Sequence, residues 1–232
     1  MDENIKISIA IPCYEMSGDG GKFLDINLDK ISTQTYNNIE VVISDHSVDD
    51  IVKGVVDKWS TRLDIKYIRN DYKRGSSSAN VNVAMKNCTG ELIKIIFQDD
   101  FLFNEKSIED TVNGVGDGSW LVSTCEHTYD GLTFHRKHVP VYNNKIHLGI
   151  NTISSPSVLT IRNGNIEYFD ENLIWLMDVD YYKKLHTKYG DPLILNTITV
   201  VNRMWENQVS NLLSNEIKNK EVNIMINKYG KS

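Results

Sequence analysis

The chain has 232 residues, of which 41% are hydrophobic and 24% are charged, values that suit a globular protein with a real core. Its formal net charge is −6, and Lys and Arg are scattered along the sequence. This charge distribution argues against a nucleic-acid-binding surface, which needs clustered cations to neutralise phosphates.

The cysteines and the chain start bear on where the protein works. Cys13, Cys88 and Cys125 are far apart and form no C-x-x-C pair. This disfavours a disulfide framework or a zinc knuckle and favours a reducing cytoplasm. Residues 1–4 are acidic and polar, unlike a signal peptide, and no apolar run approaches the roughly 20 residues that span a bilayer. We therefore expect a cytoplasmic protein whose contact with any membrane is peripheral.

Strand-like and helix-like segments alternate through the first hundred residues. Residues 5–11 carry Ile at every second position and predict a strand, and residues 23–32 carry a broad apolar helical stripe. Such alternation with short links predicts a parallel sheet covered by helices on both faces, with ligands at the carboxyl ends of the strands. The further segments are strands at 39–44, 64–68 and 91–97 and helices at 48–59 and 76–87.

The second half is more mixed. A long helix is predicted at 171–189, with Asp170 as its N-cap and Gly190 as its stop. No Pro/Gly/Ser-rich linker interrupts the chain, so we expect a single domain over 1–232, with a donor half at about 1–100 and an acceptor half at about 101–232. The other predicted elements are strands at 120–125, 158–161 and 193–201 and a C-terminal helix at 208–218.

A hydrophobic strand at 91–97 ends in two adjacent carboxylates, Asp99 and Asp100. Adjacent carboxylates repel, and each raises the pKa of the other, a penalty that a divalent cation removes. Mg²⁺ commonly takes one or two carboxylates together with substrate phosphates. A solvated acidic turn explains the pair equally well when it is considered alone.

The context of this pair resembles the family 2 glycosyltransferases, which have the GT-A fold. The resemblance covers most of the chain, and four matched segments occur in the family's order. They imply an α/β, Rossmann-like GT-A fold with a mixed, mainly parallel sheet flanked by helices. They also imply sugar transfer from a nucleotide-sugar donor to a hydroxyl acceptor. The segments are 9–15, 41–45, 74–80 and 90–100.

The resemblance implies which residues contact the donor. The turn after the first strand resembles the family's first donor loop, which contacts the nucleoside. The acid after the second strand resembles the one that binds the base, and the segment after the third strand resembles the one that lies along the nucleotide. The implied positions are Pro12, Tyr14, Glu15, Asp45, Arg74, Gly75 and Asn80.

The end of the fourth strand resembles the family's D-x-D metal motif, with Gln98 in place of the first acid. The resemblance implies that Asp100 is the main ligand of Mn²⁺ or Mg²⁺ and that Asp99 lies near the ribose or the metal. A UDP- or dTDP-sugar is the expected donor, and a hydroxyl-bearing glycan is the expected acceptor.

An inverting transfer needs a carboxylate that takes the proton from the acceptor hydroxyl. Residues 175–180 resemble the family's acidic segment that supplies this base. Asp178 and Asp180 are about 200° apart on a helix, so they cannot share a face. We favour Asp178 as the base and keep Asp180 as the alternative; both are ordinary helix-surface acids in the competing interpretation.

Two later segments resemble the family less closely. Residues 151–157 resemble the loop before the acceptor region, with Ser155 at the usual Gly position. Residues 202–210 resemble a late segment in which Arg203 would contact the diphosphate and Trp205 stands where a His is usual. Trp205 would either stack on a sugar ring or fill the core.

Two other features are interpreted as having no chemical role. Residues 18–21 are rich in Gly but match no phosphate-binding loop, so a flexible connection is expected. His135 and His138 lack a carboxylate partner at helical spacing, which predicts a solvated basic stretch instead of a metal site.

Two other functions remain open. A sugar-phosphate nucleotidyltransferase would also be an α/β protein with metal-binding acids, but the turn at 12–15 lacks the Gly-rich basic loop expected there. A non-catalytic nucleotide-sugar or carbohydrate-binding relative would account for Gln98 and Trp205.

Overall fold

The computed structural model describes residues 5–164, 166–206 and 208–231, with only the backbone described at residue 210. The acidic start at residues 1–4 lies outside these ranges. Within them, the strands are β1 (Ile7–Cys13), β2 (Ile39–Asp45), β3 (Ile65–Arg69), β4 (Leu92–Ile95), β5 (Phe101–Leu102), β6 (Trp120–Thr128), β7 (Leu159–Arg162) and β8 (Leu193–Arg203). The helices are α1 (Gly20–Ser32), α2 (Ile51–Trp59), α3 (Ser77–Lys86), α4 (Ser107–Val115), α5 (Met177–Tyr189), α6 (Val209–Leu212) and α7 (Asn215–Tyr229).

The described strands form one eight-stranded sheet in the order β3-β2-β1-β4-β7-β6-β8-β5. The four strands β3, β2, β1 and β4 run parallel, as the alternating pattern predicts. β7 lies antiparallel to both β4 and β6, whereas β6 and β8 are parallel. The predicted mixed, mainly parallel sheet is confirmed.

Helices cover both faces of the sheet. Every residue of β1 is buried, because a central parallel strand has a packed layer on each side. Its isoleucines belong to the same hydrophobic core as the buried stripes of α1, α2 and α4, and Ala10 belongs to the other core, to which α3, α5 and α7 contribute. None of the helices in the described ranges combines the length and the hydropathy needed to cross a membrane.

The first half matches the predicted elements within a few residues, and the second half differs more. The strand β5 and the helix α4 were not predicted. The predicted helix at 208–218 is two helices, because Ser214 caps α7 by accepting the N–H of Ile217.

The helix predicted to start at residue 171 starts at Met177. Asp170 does not cap it; its carboxylate accepts the N–H of Asn172 in a local turn. Residues 171–176 are turns and bends, with backbone groups bonded to distant side chains. Ser78, for example, donates its hydroxyl to the carbonyl of Leu173 at 2.7 Å.

Candidate active site

Two adjoining cavities lie at the edge of the sheet where β1, β2 and β4 end. The first, of about 190 Å³, is lined by Pro12, Glu15, His46, Arg74, Gly75 and Asn80, and we call it the β1–β2 pocket. The second, of about 350 Å³, is lined by residues that include Asp99, Asp100, Trp175, Asp178, Asn202 and Trp205, and we call it the acid cavity. Tyr14 and Phe97 line both, so the cavities form one continuous cleft.

Gln98 fastens the loop after β1 to the end of β4. Its Oε1 accepts the N–H of Tyr14 at 2.9 Å, and its Nε2 donates to the carbonyl of Gly20 at 2.7 Å. Gln98 is buried and uses both ends of its amide in these bonds. The residue at the position of the first acid of the resembled metal motif therefore positions the loop after β1.

The glycines at 18–21 are part of an ordered turn, so the expectation of a flexible connection is wrong. A 3-10 turn at Met16–Gly18 leads directly into α1. A Cβ atom on Gly20 would lie 2.2 Å from the carbonyl oxygen of Tyr14, a contact that no side chain tolerates. Gly20 is therefore needed for the close approach of the loop to the helix start.

The β1–β2 pocket brings together most of the residues predicted to contact the donor. Asn80 joins the strand ends, because its Nδ2 donates to the carbonyl of Cys13 at 2.9 Å and its Oδ1 accepts from Ser44 at 2.7 Å. Gly75 has φ +89°, a conformation that favours glycine, and the exposed Arg74 pairs with Asp71. The predicted residues that line this pocket are Pro12, Tyr14, Glu15, Arg74, Gly75 and Asn80.

Asp45 does not line this pocket, although it was predicted to bind the base. Its side chain is fully buried. One oxygen accepts the N–H of Ser47 at 2.8 Å, and the other accepts the hydroxyl of Tyr67 at 2.7 Å and lies 3.6 Å from Arg69 Nε. Asp45 thus shapes the turn after β2 from behind the pocket.

His46, which was not predicted, lines the pocket in place of Asp45. Its Nδ1 accepts the N–H of Gly75 at 3.3 Å, and its Nε2 lies 3.2 Å from the carbonyl oxygen of Tyr72. Burial lowers the pKa of the imidazole, which keeps the ring neutral near pH 7. Its position directly after a strand, at the ligand edge of a parallel sheet, is the sequence signal that could have identified this residue.

The acid pair lies at the floor of the acid cavity. Asp100 is 4% exposed, and its Oδ1 accepts the N–H of Arg203 at 2.9 Å while its Oδ2 accepts the hydroxyl of Ser155 at 3.0 Å. Burial and the neighbouring charge of Asp99 raise the pKa of Asp100 to about 7. Burial also raises the pKa of Asp99. Two adjacent buried carboxyl groups with raised pKa values favour a nearby positive charge, which stabilises their ionised forms.

The residues around the pair fit a divalent cation. Asn202 donates to the Ser155 hydroxyl that also bonds Asp100, and its own Oδ1 is buried without a hydrogen-bond partner. Among the described residues, no group of three or more His, Cys, Asp and Glu side chains could hold a metal alone. Two carboxylates and an amide oxygen leave coordination positions for phosphate and water, the pattern that Mg²⁺ prefers.

A buried lysine lies close to the acid pair. Lys94 on β4 is fully buried and donates to the carbonyl of Ser157 at 2.5 Å. Burial lowers the pKa of its ammonium group to about 7, and the charges of Cys125 and Asp100 partly oppose this shift. Through its hydrogen bond to Ser157, Lys94 joins β4 to the turn that carries Ser155.

Trp205 contacts the acid pair directly. Its Nε1–H donates to Asp99 Oδ2 at 2.9 Å, and its ring packs edge-on against Phe23 at 5.4 Å between centroids. Arg203, predicted to contact the diphosphate, places its guanidinium over the rings of Phe23 and Phe101 and donates through Nε to the carbonyl of Asp99 at 3.2 Å. Arg203 therefore supports the acid pair, and it also lines the acid cavity.

Asp178 lies in the first turn of α5 at the opposite wall of the acid cavity. Its Oδ2 accepts from Asn151 Nδ2 at 2.6 Å, and its Oδ1 accepts the N–H of Val179 at 2.7 Å. Burial, with a smaller contribution from the charge of Glu221, raises the pKa of Asp178 to about 7. A carboxyl group with this pKa can accept a proton near neutral pH.

The loop at 151–157 contacts both acidic centres of the cavity. Asn151 bonds Asp178, whereas Ser155 bonds Asp100. Between them Ser154 has φ +119°, a strained conformation for a residue with a side chain, and its carbonyl accepts from Asn151 and from the hydroxyl of Tyr182. Strain held in place by several hydrogen bonds is typical of functional sites.

Asp180 lies outside the cavity. It is fully buried, and its carboxylate contacts Lys228 at 2.6 Å, Lys184 at 3.0 Å and the hydroxyl of Tyr229 at 2.7 Å. All three partners hold it within the contact between α5 and α7. The helical-face argument separated the two acids correctly, and Asp180 has no access to a substrate in the cleft.

The histidines at 135 and 138 are not among the residues that line the acid cavity. His138 Nε2 lies 3.1 Å from the carbonyl oxygen of Thr152, and the ring of His138 is 6.4 Å from that of His127. His127, which was not predicted, is the histidine that lines the acid cavity, and its Nδ1 lies 2.8 Å from the carbonyl oxygen of Arg136.

Comparison with known proteins agrees with this site. The model of Glycosyl transferase family 2 matches residues 8–157, more than half of the chain. The chain therefore belongs to this family of sugar-transferring enzymes.

Particular relatives are more distant. The chain is 31% identical over 98 residues to Glycosyltransferase GlyA of Streptococcus pneumoniae, which covers 42% of this chain and 13% of that protein. It is 26% identical over 108 residues to the poly(ribitol-phosphate) beta-N-acetylglucosaminyltransferase TarS of Staphylococcus aureus, which covers 46% of this chain and 18% of that one. The matched region is thus less than a fifth of either relative.

Solved structures share the fold. S. aureus TarS 1–349 in complex with UDP-GlcNAc superposes with a TM-score of 0.68 at 16% identity, covering 96% of this chain and 66% of that one. The mannosyltransferase PcManGT from Pyrobaculum calidifontis, in complex with GDP-Man and Mn²⁺, superposes with a TM-score of 0.65 at 15% identity, covering 89% and 59%. The expected GT-A fold is confirmed by these neighbours.

Proposed function

We propose that this chain is a metal-dependent, inverting glycosyltransferase that moves a sugar from a nucleotide-diphosphate sugar to a hydroxyl on a glycan acceptor. The observation that carries the proposal is that Asp99, Asp100 and Asp178 line a single cavity. This cavity adjoins the pocket formed by the predicted donor residues. Membership in Glycosyl transferase family 2 supports the same class of reaction.

The β1–β2 pocket would hold the nucleoside, with Tyr14 between the two cavities and Glu15 and His46 on the wall. A UDP- or dTDP-sugar is the proposed donor. The UDP-GlcNAc complex of TarS supports a uridine nucleotide, because it shows that this fold accepts one. The first hundred residues would therefore form the donor half, and the rest of the chain would form the acceptor half.

Asp100 and Asp99 would hold a Mn²⁺ or Mg²⁺ ion, which when bound supplies Lewis-acid stabilisation of charge on the leaving diphosphate. Trp205 holds Asp99 through its indole N–H, and Ser155 holds Asp100. The Mn²⁺ complex of the mannosyltransferase neighbour supports a metal in this fold.

Asp178 would act as the base at the acceptor side. Asn151 and the N–H of Val179 each occupy one position on its carboxylate, and this fixes the orientation of the carboxylate. Asp178 takes the proton as the acceptor oxygen bonds to the anomeric carbon and the bond from that carbon to the diphosphate oxygen breaks. Attack from the side opposite the leaving group inverts the anomeric carbon, so no covalent enzyme intermediate forms.

A nucleotide-sugar panel tests the proposal. We expect Mn²⁺ together with one nucleotide sugar to raise the melting temperature, because a ligand of the native state stabilises it by mass action. Transfer should stop when EDTA is added and resume with excess Mn²⁺. Full activity without metal would remove the role of the acid pair. Binding without turnover on any acceptor would favour a non-catalytic relative, and pyrophosphate release from a nucleoside triphosphate would indicate a nucleotidyltransferase.

A further inference from the structure

Glu221 is a buried carboxylate with an unusual set of partners. It lies on α7 and is 3% exposed. Its Oε1 accepts the N–H of Ile174 at 2.8 Å, and its Oε2 accepts those of Trp175 at 2.9 Å and Leu176 at 2.8 Å. In the described part of the chain it makes no ion pair with Lys, Arg or His. Three backbone amides are therefore its compensation for leaving water.

These three amides lie directly before α5, and the last of them belongs to its N-cap residue, Leu176. The first amides of a helix have no intrahelical acceptor, and α5 has no side-chain cap of its own at Leu176. A carboxylate at this end satisfies the amides and also interacts favourably with the helix dipole. Glu221 thus holds the segment that leads into α5 from a different helix. Asp178 lies in the first turn of α5, two residues after Leu176.

A second contact joins the same two helices. Lys228 and Tyr229 on α7 bond Asp180 on α5 at 2.6 and 2.7 Å. Glu221 and Lys228 are about two helical turns apart and share one face of α7. The helix α7 therefore holds α5 at two points, and only the Glu221 point lies next to the acid cavity.

We propose that Glu221 is a positioning residue for the transfer reaction: it fixes the segment 174–176 so that Asp178 and Trp175 face the acceptor side of the acid cavity. The inference rests on the proposed function, because it assigns Asp178 as the base. Trp175 lines the cavity and has its backbone N–H bonded to Glu221, so the same carboxylate sets an aromatic surface for the acceptor.

Glu221 acts on Asp178 in two ways: it holds the preceding segment in place, and its negative charge affects the pKa of Asp178. The titratable groups that interact electrostatically with Asp178 are Glu221 on α7 and Tyr182 on α5. Burial is the larger cause of the raised pKa of Asp178, and the Glu221 charge adds to it. Removing that charge should lower the pKa of Asp178, so the acid limb of the rate profile should move to lower pH.

Two substitutions separate charge from geometry. Glu221→Gln removes the charge and leaves one acceptor oxygen, and Glu221→Asp keeps the charge but shortens the side chain by one methylene. Two controls accompany them. Glu216→Gln makes the same chemical change at an exposed position of α7, and Tyr229→Phe removes a hydroxyl from the other contact between α7 and α5.

The readouts are kcat and acceptor KM over pH 5–9, donor affinity by calorimetry with Mn²⁺, and hydrogen exchange at the amides of 174–176. For Glu221→Gln we expect kcat to fall about 10–100-fold and acceptor KM to rise. Its acid limb should move to lower pH, donor affinity should change less than about twofold, and the three amides should exchange faster. Glu221→Asp should keep the wild-type acid limb with an intermediate kcat, and both controls should resemble the wild type.

The outcomes distinguish two failures. A wild-type chain that binds nucleotide sugar but transfers nothing would overturn the proposed function and this inference with it. An active wild type with unchanged kcat and pH profile in Glu221→Gln would overturn only the role of Glu221. Equal losses in Tyr229→Phe and Glu221→Gln would also overturn it, since general loosening of α7 would then explain the effect.

Discussion

Replacing Asp178 with Asn should make the protein a poorer catalyst and a more stable fold. Burial, with the charge of Glu221, raises the pKa of Asp178 from 3.8 to about 7. Between these two values the folded chain keeps a proton on Asp178 that the unfolded chain has lost. Stability therefore falls as the pH rises through this window, and the full cost is present above about pH 7. The amide does not ionise, so it avoids this cost.

The magnitude follows from the size of the shift. A change from 3.8 to about 7 corresponds to about 4 kcal/mol at 1.36 kcal/mol per pH unit. Asp178 is partly exposed, and water screens the cost, so we expect a gain of about 1–2 kcal/mol. In a chain of this size the gain would raise Tm by about 2–8 °C at pH 8. Loss of the base should lower kcat about 10²–10⁴-fold.

Scanning calorimetry at pH 8 and pH 4.5, combined with a transfer assay, measures both effects. The gain in Tm should shrink toward pH 4.5, where the wild-type carboxyl is protonated in the folded state. Asp180→Asn is the matched control, two residues along the same helix. It weakens a buried contact with Lys228, and we expect a loss of about 1–3 kcal/mol. A lower Tm for Asp178→Asn at pH 8, or a gain independent of pH, would refute the reasoning.

Three further substitutions test the loop and the acid pair. Gly20→Ala should lower the free energy of unfolding by about 2–4 kcal/mol in urea, since its Cβ meets a carbonyl oxygen at 2.2 Å, whereas Gly54→Ala in α2 meets nothing within 4 Å and should be neutral or stabilising. Gln98→Asp should lower Tm without tightening Mn²⁺ binding by calorimetry, because it removes the Nε2 donor to the loop; tighter binding would contradict this. Trp205→Phe removes a hydrogen bond to Asp99, worth about 1.5–3 kcal/mol, so Mn²⁺-dependent nucleotide binding should weaken about tenfold or more while metal-free binding stays unchanged.

Much of the donor half follows from the sequence. Strands buried on both faces must be continuously apolar, and the helices between them need one apolar stripe, so β1 to β4 and α1 to α3 were predicted nearly at their observed bounds. The carboxyl ends of parallel strands share one edge, so Tyr14, Arg74 and Asp100 were expected to lie near one another. They line the two cavities of one cleft.

The direction of each side chain at that edge was decided by the tertiary structure. Asp45 follows β2 as predicted, but Tyr67 and Arg69 from β3 hold it behind the pocket, where His46 takes its place at the wall. Gln98 resembles a metal-motif position, yet the loop after β1 occupies its whole amide. Local sequence carries no record of such partners.

The sequence alone determined that an acidic segment near residue 178 would belong to a helix, because its apolar spacing is helical. Only the tertiary structure decided that this helix starts at Met177 and that Asp178, unlike Asp180, reaches the cleft. The physical reason is that a helix end is set by whatever satisfies its free amides. Here Glu221, more than forty residues further along the chain, accepts the N–H of the N-cap residue Leu176 and those of the two residues before it.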